Sequence, residues 1–202
     1  MSANRESVRG PAKSQPRSGP ASQGNGGRQA EDAAVELGLS YARGILQFRG
    51  GRAVVMTEEA YVLLLQILYE HAPHILKYAF YDMGYRAGLD IMAGLDDHGG
   101  DAEMAFRAFV RQFTHAGYGH IEVVHFDLDA PEVRLRGHNL FEAGLAPKTG
   151  IYRTPRSVDH FSRGMFAGFV SELLKREVVC EETACQFRGD PACEFVVLPF
   201  QA

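Results

Sequence analysis

Apolar residues recur at helical spacing in four stretches of the chain, and each stretch begins with a residue that commonly starts a helix. Thr57 is followed by Glu58 and Glu59, so an oxygen-bearing cap precedes acids in the first turn. The first two predicted helices cover residues 57–71 and 73–93. The third begins at Asp101 and has Ala105, Phe109 and Phe113 on one stripe. The fourth begins at Ser157, and its stripe consists of Phe161, Met165, Phe169 and Leu173.

Short β-prone segments flank these helices and occur in pairs. Residues 44–48 and 53–56 are separated by a Gly-Gly turn, residues 121–128 and 132–136 by Asp-Ala-Pro, and residues 177–182 and 193–198 by a turn at 188–191. Hairpins grouped between helices predict an α+β fold, with an antiparallel sheet and packed helices.

Composition changes sharply after residue 30. Residues 1–30 contain five Gly, three Pro and five Ser but no Leu, Ile, Phe or Tyr. Such a segment cannot bury enough apolar surface to offset chain entropy. We therefore predict a disordered N-terminal tail over residues 1–30 and one ligand-binding domain over residues 31–202.

The charge distribution and the cysteines restrict the class of protein. The tail holds five of the 21 basic residues and one of the 25 acidic residues, which leaves the domain acidic. An acidic domain argues against nucleic-acid binding, which needs clustered Lys and Arg. No apolar run is long enough to span a membrane, and three cysteines near one end favour a reducing compartment over a disulfide framework. These features predict a cytoplasmic protein.

Two helices carry glycine pairs at a spacing of four residues. Gly84 and Gly88 lie on one face of the second helix, and Gly164 and Gly168 lie on one face of the fourth. Glycine lowers helix stability by about 1 kcal/mol relative to alanine, so two such pairs require a reason. Close helix packing is the favoured reason, and close approach to a ligand is the alternative.

The last hairpin contains the most specific chemistry in the chain. If residues 177–182 and 193–198 pair around the turn, Glu182, Cys185 and Cys193 converge, and two thiolates with a carboxylate suit zinc. Cys180, Asp159 or His160 could provide the fourth ligand. The alternatives are that the cysteines are small buried apolar residues, or that Cys185 and Cys193 form a disulfide.

The same segment resembles the 4-vinyl reductase domain family. The resemblance rests on Glu182, Cys185, Gly189, Asp190, Cys193 and Phe195 in their spacing, preceded by Gly164 and Gly168. The family includes the bacteriochlorophyll-biosynthesis J protein and the aromatic-effector sensor domains of bacterial activators.

This resemblance implies a fold like the NO-signalling and Golgi-transport (TRAPP-like) ligand-binding domains, often homodimeric, with an apolar pocket for a hydrophobic small molecule. In the sensors a zinc is held by residues matching Glu182, Cys185 and Cys193, together with an upstream cysteine. In this chain Asp159 stands at the position of that cysteine, so Asp159 or the adjacent His160 would complete the site.

Three functions remain open from the sequence, and the third is a purely structural dimerising subunit like the vesicle-tethering relatives. A binding module, either a sensor acting through a separate protein partner or a carrier, is favoured by apolar helices and by the aromatic residues Phe80, Tyr81, Tyr85, Phe106, Phe109 and Phe113. The alternative is a factor of bacteriochlorophyll biosynthesis acting with or as a 4-vinyl reductase. Because no nicotinamide, flavin or iron–sulfur motif is found and no histidine has a catalytic context, an enzyme is the less favoured interpretation.

Overall fold

The computed structural model describes residues 38–48, 51–93, 101–152 and 157–200, so the predicted tail lies outside the described residues. A three-stranded antiparallel sheet comes first, formed by β1 (Leu39–Ala42), β2 (Ile45–Phe48) and β3 (Gly51–Ala53). Helices α1 (Glu58–His71), α2 (Leu76–Ala93) and α3 (Ala102–His115) follow. The rest of the chain forms β4 (His120–Asp127), β5 (Glu132–His138), α4 (Phe141–Thr149), α5 (His160–Leu174), β6 (Val178–Ala184), a 3₁₀ turn (Gln186–Arg188) and β7 (Cys193–Pro199).

The second sheet has the strand order β4-β5-β7-β6, and each neighbouring pair is antiparallel. Helices α3 and α5 pack against it, so the predicted α+β fold with an antiparallel sheet and packed helices is confirmed. A phenylalanine core fills the space between these helices and the sheet, and its rings are at most 2% exposed. This core consists of Phe106, Phe109, Phe113, Phe166, Phe169 and Phe195.

The two glycine pairs pack against each other. A Cβ added to Gly84 would lie 2.1 Å from the carbonyl oxygen of Phe161, and one added to Gly168 would lie 1.9 Å from that of Tyr85. Such distances are far below van der Waals contact, so only glycine permits α2 and α5 to approach this closely. Close helix packing, the favoured interpretation of the pattern, is therefore what the described residues show.

Several predicted boundaries are wrong. The strand predicted at residues 53–56 lies earlier, at Gly51–Ala53, where β2 pairs with it, and residues 54–56 are not a strand. The second helix begins at Leu76 rather than at Pro73. The fourth begins at His160, because the Ser157 hydroxyl accepts a hydrogen bond from Arg163 instead of capping the helix. Helix α4 was not predicted, since Gly144 and Pro147 interrupt its sequence.

Candidate metal centre and aromatic clusters

The β6–β7 hairpin positions three of the predicted ligands. Glu182 pairs with Phe195, and a β-bulge between Glu182 and Ala184 shifts the register before Cys185. Gly189, at φ +94°, reverses the chain after the 3₁₀ turn, and Asp190 fixes that reversal by accepting a 2.7 Å hydrogen bond from the Cys185 amide. The loop therefore returns Cys193 to the side of Cys185.

Four acidic groups meet at this point. One ligand atom from each of Asp159, Glu182, Cys185 and Cys193 lies within 4.8 Å of the other three, and we call these residues the metal cluster. The two Sγ atoms are 3.9 Å apart, and both thiols are free. Two sulfur ligands of a tetrahedral zinc ion are about 3.8 Å apart, so the thiols have a separation that suits such an ion.

Each carboxylate of the metal cluster has one anchored oxygen and one orphaned oxygen. Oδ1 of Asp159 accepts from the Ala143 amide at 3.0 Å, and Oε2 of Glu182 accepts from the Val158 and Asp159 amides at 3.0 and 3.3 Å. The other two oxygens, Oδ2 of Asp159 and Oε1 of Glu182, are buried without a hydrogen-bond partner among the described residues. A buried carboxylate oxygen without a donor is costly, and a cation would satisfy both.

Two members of the metal cluster, Asp159 and Cys193, have pKa values raised by their surroundings. Burial, followed by the nearby charges of Glu142 and Glu182, holds the pKa of Asp159 well above its usual range. The pKa of Cys193 is also raised, first by its hydrogen bond with Cys185 and then by burial. The donor set of two sulfurs and two oxygens thus fits a divalent ion that compensates several negative charges.

The other two candidate ligands lie outside the metal cluster. Nε2 of His160 is buried without a hydrogen-bond partner among the described residues, and burial lowers the pKa of His160 to about 4. Cys180 is fully buried on β6, where its amide donates to the Tyr81 hydroxyl, and burial raises the pKa of its thiol to about 12. Cys180 therefore matches the alternative interpretation of a small buried apolar residue.

Glu142 supports the start of α5 beside the metal cluster, and the sequence pattern did not predict this role. Its buried carboxylate accepts three 2.9 Å hydrogen bonds, from the amides of Phe161 and Ser162 and from the Ser162 hydroxyl. It thereby caps the N-terminus of α5, directly after Asp159 of the metal cluster. Burial raises the pKa of Glu142 to about 7. Because Glu142 acts on residues 19 and 20 positions away, no local capping pattern marks it.

A second set of aromatic rings adjoins the phenylalanine core, since the ring centroids of Phe113 and Tyr118 are 5.1 Å apart. We call it the tyrosine cluster: neighbouring rings within it have centroids 5.4 to 6.1 Å apart, and it consists of Tyr61, Phe80, Tyr118, Phe141 and Phe161. Tyr61 and Tyr118 are half-buried, and burial raises the pKa of both hydroxyls. Phe80 and Phe161 are buried, so Tyr61, Tyr118 and Phe141 provide the partly exposed surface of this cluster.

The predicted aromatic residues divide between these environments. Phe106, Phe109 and Phe113 belong to the phenylalanine core, and Phe80 belongs to the tyrosine cluster. Tyr81 and Tyr85 stack on each other beside the glycine contact.

In the part of the chain that the structure describes, no helix has the length and apolar character needed to cross a membrane.

Comparisons with known proteins agree with the sequence motif. The family model of the 4-vinyl reductase domain matches residues 149–199, a segment that contains the whole metal cluster. The crystal structure of the phenol-responsive sensory domain of the transcription activator PoxR with phenol has a TM-score of 0.74 at 17% identity, covering 87% of this chain and 91% of that chain. The resemblance to the 4-vinyl reductase domain family is thereby confirmed, and the chain shares the fold of the sensory domain.

Two further structures are less similar. A vinyl-4-reductase family protein from Methanocaldococcus jannaschii has a TM-score of 0.49 at 14% identity, covering 74% of this chain and 85% of that chain. Subunit 3 of a trafficking protein particle complex from Naegleria fowleri, covalently bound to palmitic acid, has a TM-score of 0.45 at 15% identity. The match covers 71% of this chain and 95% of that chain. The comparison with curated proteins found no match.

Proposed function

We propose that this chain, whose residues 149–199 match the 4-vinyl reductase domain, is a sensor or carrier module for a small hydrophobic molecule of aromatic, phenol-like chemistry. One observation carries the proposal: the chain shares its fold, over 87% of its length, with a domain described as phenol-responsive. As a sensor the chain would act on a separate protein partner, and as a carrier it would need none. The free thiols suit a reducing, cytoplasmic compartment.

We assign the metal cluster to a structural zinc ion held by Asp159, Glu182, Cys185 and Cys193. The two orphaned carboxylate oxygens and the pair of thiols support this assignment. When bound, the ion would cross-link the hairpin loop to the start of α5. In this chain Asp159 stands where the family resemblance implies a cysteine in the sensors. An oxygen ligand in place of sulfur makes this donor set harder and more acidic than theirs.

We place the ligand at the tyrosine cluster. Half-buried tyrosines offer apolar surface for an aromatic ring and hydroxyl groups for a polar substituent, which is the usual composition of a small-molecule site. The phenylalanine core is less suitable, because Phe109 and Phe169 already stack at 4.2 Å and the core rings have almost no exposed surface.

Native mass spectrometry of the purified full chain, compared with its denatured mass, tests metal and ligand together. We expect an excess of about 65 Da per chain from zinc, together with an organic adduct after incubation with phenol. A native mass equal to the denatured mass after incubation with both would contradict the proposal. Co-purifying chlorin absorbance would instead support the alternative of a bacteriochlorophyll-biosynthesis factor.

A pair of tyrosine variants tests where the ligand binds. Tyr118→Phe keeps the ring and removes a hydroxyl of the tyrosine cluster, so phenol affinity measured by calorimetry should fall about tenfold for the loss of one hydrogen bond. Tyr78→Phe is the matched control, because Tyr78 is 75% exposed and lies outside the cluster. Equal phenol affinity in both variants would place the ligand elsewhere.

A further inference from the structure

An open cleft lies between α2 and the turn that connects α5 to β6, and we call it the α2–α5 cleft. Its volume is about 360 Å³, which is within the range of small-molecule sites. Tyr85 and Leu89 of α2 form one wall, and side chains from residues 171–177 form the other. None of these residues belongs to the metal cluster or to the tyrosine cluster.

The wall formed by α2 is held in a fixed position. Gly88 and Gly168 bring α2 and α5 into backbone contact, because a Cβ at either position would overlap the opposite helix. Tyr85 stacks on Tyr81 with ring centroids 6.5 Å apart, so its ring has a defined orientation. A wall that is already ordered reduces the entropy lost when a ligand binds.

The other wall is a turn that Ser171 anchors twice. Lys175 ends α5 in the left-handed conformation, at φ +50°. The Ser171 carbonyl accepts a hydrogen bond from the Arg176 amide, and the Ser171 hydroxyl accepts one from the Val178 amide, both at 3.1 Å. The backbone of Arg176 and Glu177 is therefore fixed, while both residues are exposed.

Two opposite charges at the cleft are available to a ligand. Lys175 and Glu172 form an ion pair with each other. Arg176 and Glu177 also line the cleft, and their side chains form no ion pair or hydrogen bond with another described residue. A guanidinium group binds a carboxylate through two parallel hydrogen bonds, whereas a cation is favoured by Glu177 and by the carbonyl end of α5.

This lining suits neither a simple ion nor a metal. Two basic and two acidic side chains make the cleft neutral overall, so a ligand with a single charge gains from one group and is repelled by another. Within the ranges that the structure describes, the metal cluster is the only group of side chains arranged to hold a metal ion. A molecule that carries both charges beside an apolar group matches the cleft better.

We propose that the α2–α5 cleft binds a small zwitterion of the α-amino-acid class with an apolar side chain. Arg176 binds the carboxylate of this ligand, and Glu177 binds its ammonium group. Tyr85 and Leu89 contact its side chain. This site is separate from the proposed zinc and phenol sites and does not depend on either.

An NMR titration of the full chain with L-phenylalanine tests the site. We expect a dissociation constant of roughly 1 mM or below, with amide shifts in residues 85–89 and 171–178. Arg176→Gln should weaken binding about tenfold, because it removes one charge-assisted pair. Arg107→Gln is the matched control, since Arg107 on α3 pairs with Glu103 and lies outside the cleft; it should bind as the wild type does.

Two analogues test the requirement for both charges. Hydrocinnamate lacks the ammonium group and phenethylamine lacks the carboxylate, so each should bind about tenfold more weakly than L-phenylalanine. In Glu177→Gln the difference between L-phenylalanine and hydrocinnamate should disappear.

Three results would overturn the proposal. The first is a lack of shifts at tenfold the expected dissociation constant, or shifts confined to the tyrosine cluster. The second is unchanged affinity in Arg176→Gln, which would remove the guanidinium from the site. The third is equal affinity for L-phenylalanine and hydrocinnamate in the wild type, which would replace the zwitterion with a simple carboxylate.

Discussion

Asp159 uses its two carboxylate oxygens for different purposes. Oδ1 accepts the Ala143 amide and so ties the start of α5 to α4, whereas Oδ2 is buried without a partner in the metal cluster. The side chain is fully buried. A substitution that preserves the first role and removes the second therefore separates metal binding from folding.

Asp159→Asn is that substitution. The amide oxygen can still accept from Ala143, but the side chain no longer provides an anionic ligand, so we expect zinc affinity to fall by about 100-fold. Competition with a chromophoric zinc chelator measures this change. Cys180→Ala is the control, since Cys180 is a buried thiol outside the metal cluster and its loss should leave zinc affinity unchanged. Equal affinities in the two variants would remove Asp159 from the site.

Glu142 provides a residue-scale prediction about stability. Glu142→Ala leaves the amides of Phe161 and Ser162 without their acceptor at a buried helix start, so we expect unfolding free energy to fall by about 2 kcal/mol. Burial of the carboxylate, which raises its pKa, offsets part of its value as a cap. Urea denaturation at pH 7 measures the loss. Glu181→Ala, at an exposed position of β6, is the control, and a loss as large there would argue against the cap.

The residues of the metal cluster show which part of the site can be predicted from the sequence. Glu182, Cys185 and Cys193 come together through strand pairing around one turn, and that pairing was predicted from the hairpin pattern. The choice of a fourth ligand among Cys180, Asp159 and His160 could not be predicted from the sequence. It depends on the β-bulge after Glu182 and on Glu142, which caps α5 in place of Asp159. Contacts between residues that are distant in sequence leave no local pattern.

At the scale of elements, the two glycine pairs set the distance between α2 and α5. Gly168→Ala would place a Cβ against the Tyr85 backbone, which cannot move without displacing α2. We expect a loss of about 3 kcal/mol in unfolding free energy from this overpacking. Gly144→Ala in α4 meets no atom within 4 Å and should raise stability by about 0.5–1 kcal/mol. Urea denaturation of both variants checks the opposite signs, and a neutral Gly168→Ala would contradict the close contact.

Helix boundaries were predictable where the cap is local. Thr57 accepts from the Ala60 amide and Asp101 accepts from the Met104 amide, as their sequence positions indicated. Helix α4 was missed because its stability comes from tertiary contacts: Ala143 is held by Asp159, and the Gln66 side chain of α1 donates to the Thr149 carbonyl at 3.1 Å. Propensity alone argues against a helix that contains glycine and proline.

At the scale of the whole molecule, α4 connects the parts to which we assign function. Its first residue, Phe141, belongs to the tyrosine cluster, and the Ala143 amide donates a hydrogen bond to Asp159 of the metal cluster. At its other end, Lys148 forms an ion pair with Glu58 at the start of α1. A displacement of α4 therefore reaches the proposed metal site, the proposed ligand site and the start of α1 together.

This connection predicts that metal and ligand stabilise each other's binding. Removing zinc with a chelator frees Asp159 and loosens the start of α4, so phenol affinity should fall about tenfold, and saturating phenol should raise zinc affinity by the same factor. Calorimetric titrations of phenol with zinc-loaded and zinc-stripped protein, and of zinc with and without phenol, measure the two factors. Because linkage makes them equal, unequal factors would reveal loss of folded protein rather than coupling. If both factors are one, the two sites are independent and α4 does not link them.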